Sequence, residues 1–152
     1  VGDGSRASFS YLAEHVGEGA RVFDDLETHG DLWLYADYNV PTLFGNPPLI
    51  GQAPTSWNQR LYLRAELRNI ASDGCVAELL ATYNVQYLYY SQDRMFAGRP
   101  RVSLGMLQDR RYFRKVFSDG PATVYRIEAP PPGPCLAAID TKYSWDNRRT
   151  AN

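Results

Sequence analysis

The stretch Asp73-Gly74-Cys75-Val76-Ala77-Glu78-Leu79-Leu80-Ala81-Thr82-Tyr83-Asn84-Val85-Gln86-Tyr87-Leu88-Tyr89-Tyr90 changes its periodicity half way along. Val76, Leu79, Leu80 and Tyr83 recur at helical spacing behind Asp73, whose carboxylate suits an N-cap, and Asn84 suits the position that stops the helix. Val85 to Tyr90 follows at once as a β-branched and aromatic run of strand type. A helix that runs directly into a strand is the unit from which layered α/β domains are built.

The same order occurs earlier. Phe9, Leu12, Ala13 and Val16 fall on one helical stripe, which predicts a helix over 8–17 with Ser8 as its cap. Gly17 and Gly19 punctuate its end, and Ala20 to Phe23 then reads as a short strand. Between the two units, Ser56 is expected to cap a helix with Trp57, Leu61 and Ala65 on one stripe and Leu63, Leu67 and Ile70 on the next. Near the end, Tyr112 to Phe117 and Ala122 to Ile127 flank Ser118-Asp119-Gly120-Pro121, the pattern of a β-hairpin. The expectation is an α/β fold, a single small layered domain with a mixed sheet, helices packed on it and a C-terminal antiparallel hairpin. Residues 1–128 form the domain, and 129–152 a Pro-rich tail whose Ala129 to Pro134 favours an extended exit.

The chain has 152 residues, enough for one core at 44% hydrophobic content. Sixteen basic against 17 acidic residues leave a formal charge of −1, so no broad field favours nucleic acid. Arg94, Arg99, Arg101, Arg110, Arg111, Arg114 and Lys115 cluster late in the chain; a solvated face is the plainer assignment, a local patch for phosphate or carboxylate the sharper one. No apolar stretch approaches the ~18 residues that cross a bilayer, and the N-terminus lacks a signal-peptide pattern. The same absence is expected of a domain that follows a membrane segment.

Cys75 and Cys135 are the only cysteines, and their spacing fits no zinc site. They are either free core thiols or one disulfide. A bridge closing such a long loop would stabilise the fold by roughly 4 kcal/mol if chain entropy dominates. The bridge is the expectation, because Cys135 sits in a tail with little else to hold it, and it implies an oxidising compartment.

The densest polar constellation is Asp24-Asp25-Leu26-Glu27-Thr28-His29-Gly30-Asp31, directly after a strand, where α/β folds commonly hold ligands. Asp24, Asp25 and Asp31 are its candidate ligand-binding carboxylates; a solvated turn with a helix cap explains the same residues more plainly. Trp33, Tyr35 and Tyr38 follow, with Phe44 and Trp57 flanking a loop from Pro41 to Pro54. Aromatic faces beside carboxylates suit sugar rings, which stack and offer hydroxyls, although ordinary anchoring of core and loop uses the same residue types. That loop is expected beside the acidic loop. Neither His15 nor His29 lies in a nucleophile signature, Gly17-Glu18-Gly19 precedes its strand and so cannot hold a dinucleotide, and no cofactor or metal is expected.

Tyr11-Leu12-Ala13-Glu14-His15-Val16, then Gly17-Glu18-Gly19-Ala20-Arg21-Val22, Gly30-Asp31-Leu32-Trp33-Leu34-Tyr35, Pro41-Thr42-Leu43-Phe44 and the Val85 to Tyr90 strand resemble a known pattern. It is that of the extracytoplasmic C-terminal domain of actinobacterial polytopic membrane proteins, which look like GT-C-type glycosyltransferases. That group shows Asp followed by Gly-Ser before its Trp, whereas here Leu26 to His29 intervene. The resemblance covers residues 9–128 and implies a domain on the extracytoplasmic side of the membrane. Its partner would be the transmembrane portion of the parent protein, with envelope glycan as a further one. Catalysis would lie in the membrane part, and this domain would contact acceptor glycan or cover the active site. A structural or protein-interaction module of the cell envelope is the alternative, and a small enzyme using Asp24, Asp25 and His29 a third.

Overall fold

A computed structural model describes residues 3–24, 38–43, 54–91, 102–135 and Ile139. The elements are α1 (Asp3–His15), β1 (Arg21–Asp24), α2 (Pro54–Glu66), a 3-10 turn (Leu67–Asn69), α3 (Gly74–Thr82), β2 (Val85–Ser91), the short α4 (Leu104–Leu107), β3 (Phe113–Asp119) and β4 (Ala122–Ile127). The four strands form one sheet in the order β1-β2-β4-β3. β1 runs parallel to β2, while β4 is antiparallel to both of its neighbours, β2 and β3. A parallel pair requires a crossover, and between β1 and β2 the chain forms α2 and α3. The sheet is therefore mixed and ends in the expected antiparallel hairpin, an α/β domain with helices on both sides.

β2 decides the layering. Its side chains alternate, Leu88 and Tyr90 entering one core while Tyr87 and Tyr89 enter another. The larger core joins Phe23, Leu88, Tyr90, Phe113, Tyr125 and Ile127 of the sheet to Leu61, Leu63, Leu67, Val76, Leu79 and Leu80 of α2, the turn and α3. The smaller core joins Phe9 and Leu12 of α1 to Val22, Tyr87, Tyr89, Ala122 and Val124. A strand buried on both faces reads as a nearly unbroken apolar run, as Val85 to Tyr90 does.

Local chemistry fixes the ends of these elements. Asp73 caps α3 by accepting from the Cys75 N–H at 2.9 Å, and Tyr62 of α2 donates to the same carboxylate. Asn84 takes φ of 52°, the left-handed conformation that ends α3 and turns the chain into β2. Gly120, at φ 58°, sits first in the two-residue hairpin loop, where a positive φ is required.

Two expected caps are corrected. α1 begins at Asp3, so Ser8 lies within the helix and is fully buried. α2 begins at Pro54, so Ser56 is internal. Proline at the first helical position costs no hydrogen bond and its fixed φ suits a helix, so it starts α2 before Ser56 is reached.

The exit segment folds back on α3. Cys75 and Cys135 form a disulfide, and the Cys135 N–H donates to the Glu78 carboxylate at 3.1 Å. Gly74 faces the Gly133–Pro134 backbone so closely that a Cβ there would stand 2.9 Å from the Pro134 oxygen. Ile139 is buried in the larger core. The expected docking of Trp145 lies outside the described residues.

Candidate functional site

β1 is an outer strand of the sheet and ends at Asp24, the first residue of the acidic stretch. Val22 donates to the Pro41 oxygen at 2.9 Å and Leu43 donates to the Val22 oxygen at 3.0 Å, which makes Thr42 a parallel bridge partner of Val22. Because the two segments run in the same direction, Asp24 and Leu43 stand toward the same end of the sheet, while the expected placement of the two loops beside each other lies outside the described residues. Thr42 itself is fully buried.

Two arginines hold this edge from the α2 side. Arg21 donates to the Thr42 oxygen at 3.0 Å, and Arg60 of α2 donates to the neighbouring Leu43 oxygen. The Arg60 guanidinium lies 4.7 Å above the Tyr83 ring, whose hydroxyl donates to Gln59 at 2.6 Å. Burial lowers both arginine pKa values from their ordinary range, and for Arg21 the nearby Arg60 charge adds to that effect. Arg60 is only 4% exposed, yet it remains anchored through a carbonyl and an aromatic face. The arrangement can pin the start of the loop and place positive charge along this edge.

Sequence reasoning missed these arginines, although both interrupt apolar patterns. Arg21 stands inside the strand run, and Arg60 falls in line with Leu63, Leu67 and Ile70 at helical spacing. A charge on an apolar stripe was the available signal.

Of the predicted site residues, Asp24 and Tyr38 are described. Asp24 ends β1 and is buried, with Tyr89 as its register partner. Tyr38 packs edge-on against Phe9 at 5.6 Å, and Phe9 also meets Tyr89 at 5.0 Å. The two thus border one aromatic pair beneath α1, and Tyr38 serves the packing of that face. Asp25, Asp31, Trp33 and Tyr35 lie outside the described residues. So do Arg94, Arg99 and Arg101 of the basic cluster. Its described members include Arg111, paired with Asp109 at 2.8 Å, and Arg114, 3.4 Å from Glu128, both exposed. The exposed His15 contacts the Tyr11 oxygen through Nδ1 at 2.8 Å and stacks on the Tyr11 ring.

Among the described residues no group of three or more His, Cys, Asp or Glu could hold a metal ion, and no helix is long and apolar enough to cross a membrane.

These features define a small α/β domain with a mixed sheet and a disulfide-held C-terminal exit. A family of unknown function, DUF6541, matches residues 1–129, and the chain belongs to that family. No curated protein sequence matches it. Among solved structures it is similar to the C-terminal globular domain of an oligosaccharyltransferase from Archaeoglobus fulgidus, with a TM-score of 0.52 and 10% identity. The likeness covers 81% of this chain and 95% of that domain, and at this identity it is a likeness of fold.

Proposed function

We propose that this chain is a non-catalytic, extracytoplasmic domain of a membrane protein that transfers sugars, working beside the membrane part of its parent. The observation that carries this reading is the fold shared with the globular domain of an oligosaccharyltransferase over most of both chains. The Cys75–Cys135 disulfide supports an oxidising compartment, because such bonds persist mainly outside the cytosol. The sequence resemblance to extracytoplasmic domains of GT-C-like proteins points the same way.

In this reading the loops leaving the β1 edge contact acceptor glycan or cover the membrane-embedded site. Asp25, Asp31, Trp33 and Tyr35 would supply hydroxyl-accepting carboxylates and stacking faces. Asp24 and Tyr38 would shape the floor beneath them, and Arg21 and Arg60 would hold the opposing strand start. Topology is tested in the full-length parent by labelling a cysteine introduced at Ser10 with a membrane-impermeant reagent in intact cells. Labelling only after lysis overturns the extracytoplasmic assignment. The glycan role is tested by calorimetric titration of the domain with envelope polysaccharide fragments, comparing wild type with Asp25→Asn. Saturable binding weakened by that substitution is the expected result. Silence of the wild type toward arabinan and mannan fragments would favour the interaction module instead.

A further inference from the structure

The α1 face of the sheet carries a second constellation, on β2, β4 and β3. Tyr87 of β2, Arg126 of β4 and Arg114 of β3 are register partners in one transverse row, Tyr87 opposite Arg126 and Arg126 opposite Arg114. Cross-strand partners point to the same side of a sheet, and Tyr87 belongs to the α1-side core, so both arginines rise from that side. Directly opposed side chains on antiparallel strands have Cβ atoms about 4.5–5.5 Å apart, and like charges at that spacing repel.

α1 ends at His15, at the border of this row, for the Tyr87 hydroxyl reaches the His15 oxygen at 3.5 Å. The Arg126 guanidinium is fixed by the Tyr87 hydroxyl at 3.2 Å and by the Tyr87 ring at 5.1 Å. Arg114 meets Glu128 at 3.4 Å, but its side chain remains 65% exposed, so this pair is loose and open to water. Beside the row a stack of rings comes to the surface, with Tyr11 lying between Phe117 at 4.8 Å and the exposed His15 at 3.9 Å.

We infer that the Tyr87–Arg126–Arg114 row and the adjoining Tyr11–His15 stack bind an acidic saccharide, the oxyanion between the two guanidiniums and the sugar ring against the aromatic edge. Charge complementarity commits the site to an anion, since an oxyanion that displaces the loose, exposed Glu128 carboxylate accepts from both opposed guanidiniums. Tyr11 is covered by Phe117 and His15, so the exposed His15 ring at the end of the stack is the face that takes a flat partner beside that anion, which a sugar face provides and a bare ion does not. The oxyanion is a uronate carboxylate or a sugar phosphate, two sources of one chemistry. This site lies within the matched family segment, and the inference does not depend on the loop reading above.

Calorimetric titration of the whole chain with a glucuronate-containing disaccharide, a sugar phosphate and a neutral disaccharide of the same linkage tests it. Saturable binding of at least one acidic ligand is expected, with the neutral one about tenfold weaker, as befits loss of a charge-assisted hydrogen bond. The acid that binds more tightly identifies the source of the oxyanion. Arg126→Gln should weaken acid binding about tenfold, but it also removes a contact to Tyr87. Arg114→Gln is therefore the deciding variant, because its exposed side chain can be replaced without disturbing a core, and it should weaken the acid without affecting the neutral sugar. Equal affinity for acidic and neutral ligands, no saturable binding of either acid, or unchanged acid binding in Arg114→Gln overturns the inference. Asp25→Asn, which addresses the other site, should leave acid binding unaltered, and loss of binding there with Arg114→Gln silent would assign the ligand to the loops.

Discussion

The two faces of the sheet are closed in different ways. The α2–α3 face is covered by two helices and the 3-10 turn, and the exit segment is clamped to it by the Cys75–Cys135 disulfide, the Gly74–Pro134 approach and Ile139. The α1 face is covered by one helix, whose Phe9 and Leu12 fill a smaller core and whose end at His15 leaves Arg126 and Arg114 beside water. One face is tied down by covalent and apolar means, and the other keeps charge and aromatic edges at its surface. Covalent closure and exposed charge thus lie on opposite faces of one sheet.

Replacing both cysteines by alanine should produce the largest effect, about 4 kcal/mol of lost stability by loop entropy, measured by denaturant titration. Unchanged stability would mean that the exit segment holds by packing alone. On the opposite face, Leu12→Ala should cost about 3 kcal/mol, since Leu12 is fully buried beneath a single helix. A much smaller cost would show that α1 can settle into the cavity, and would sharpen the contrast between the faces.

Gly74→Ala should cost about 2 kcal/mol, because the new methyl meets backbone that the disulfide holds in place. In the background lacking both cysteines the exit segment can move away, so the cost should shrink; strict additivity would break the coupling proposed here. The smallest effect concerns pH. Burial, with a lesser contribution from Tyr90, raises the Tyr125 hydroxyl above its ordinary value on the α2–α3 face. The folded chain then keeps this proton to higher pH than the unfolded chain, so the associated stability is full below about pH 10 and fades as pH rises through the folded value. Tyr125→Phe should flatten the fall in melting temperature above about pH 10. An identical alkaline profile would remove Tyr125 from that response.

The resemblance to a family of extracytoplasmic domains was legible in the run from Tyr11 to Val22 and in the Val85 to Tyr90 strand. Family membership over residues 1–129 was established by comparison. Two of the candidate site residues acquired surroundings from the structure, Asp24 at a buried strand end and Tyr38 against Phe9. The partners of the β1-edge arginines came from the structure, because they are carbonyls and a ring distant in sequence.

By itself the sequence determined the helices and strands from α1 to β2, the Asp73 cap, the Asn84 stop and the C-terminal hairpin. These follow from periodicity and from local backbone preference, which act within a few residues. Only the tertiary structure decided that β1 pairs in parallel with β2, that Thr42 adds to the β1 edge and that Arg114 faces Arg126 on the adjacent strand. Those relations depend on register and chain return, and register is set by which side chains share a core, a condition satisfied over the whole fold and over no single segment.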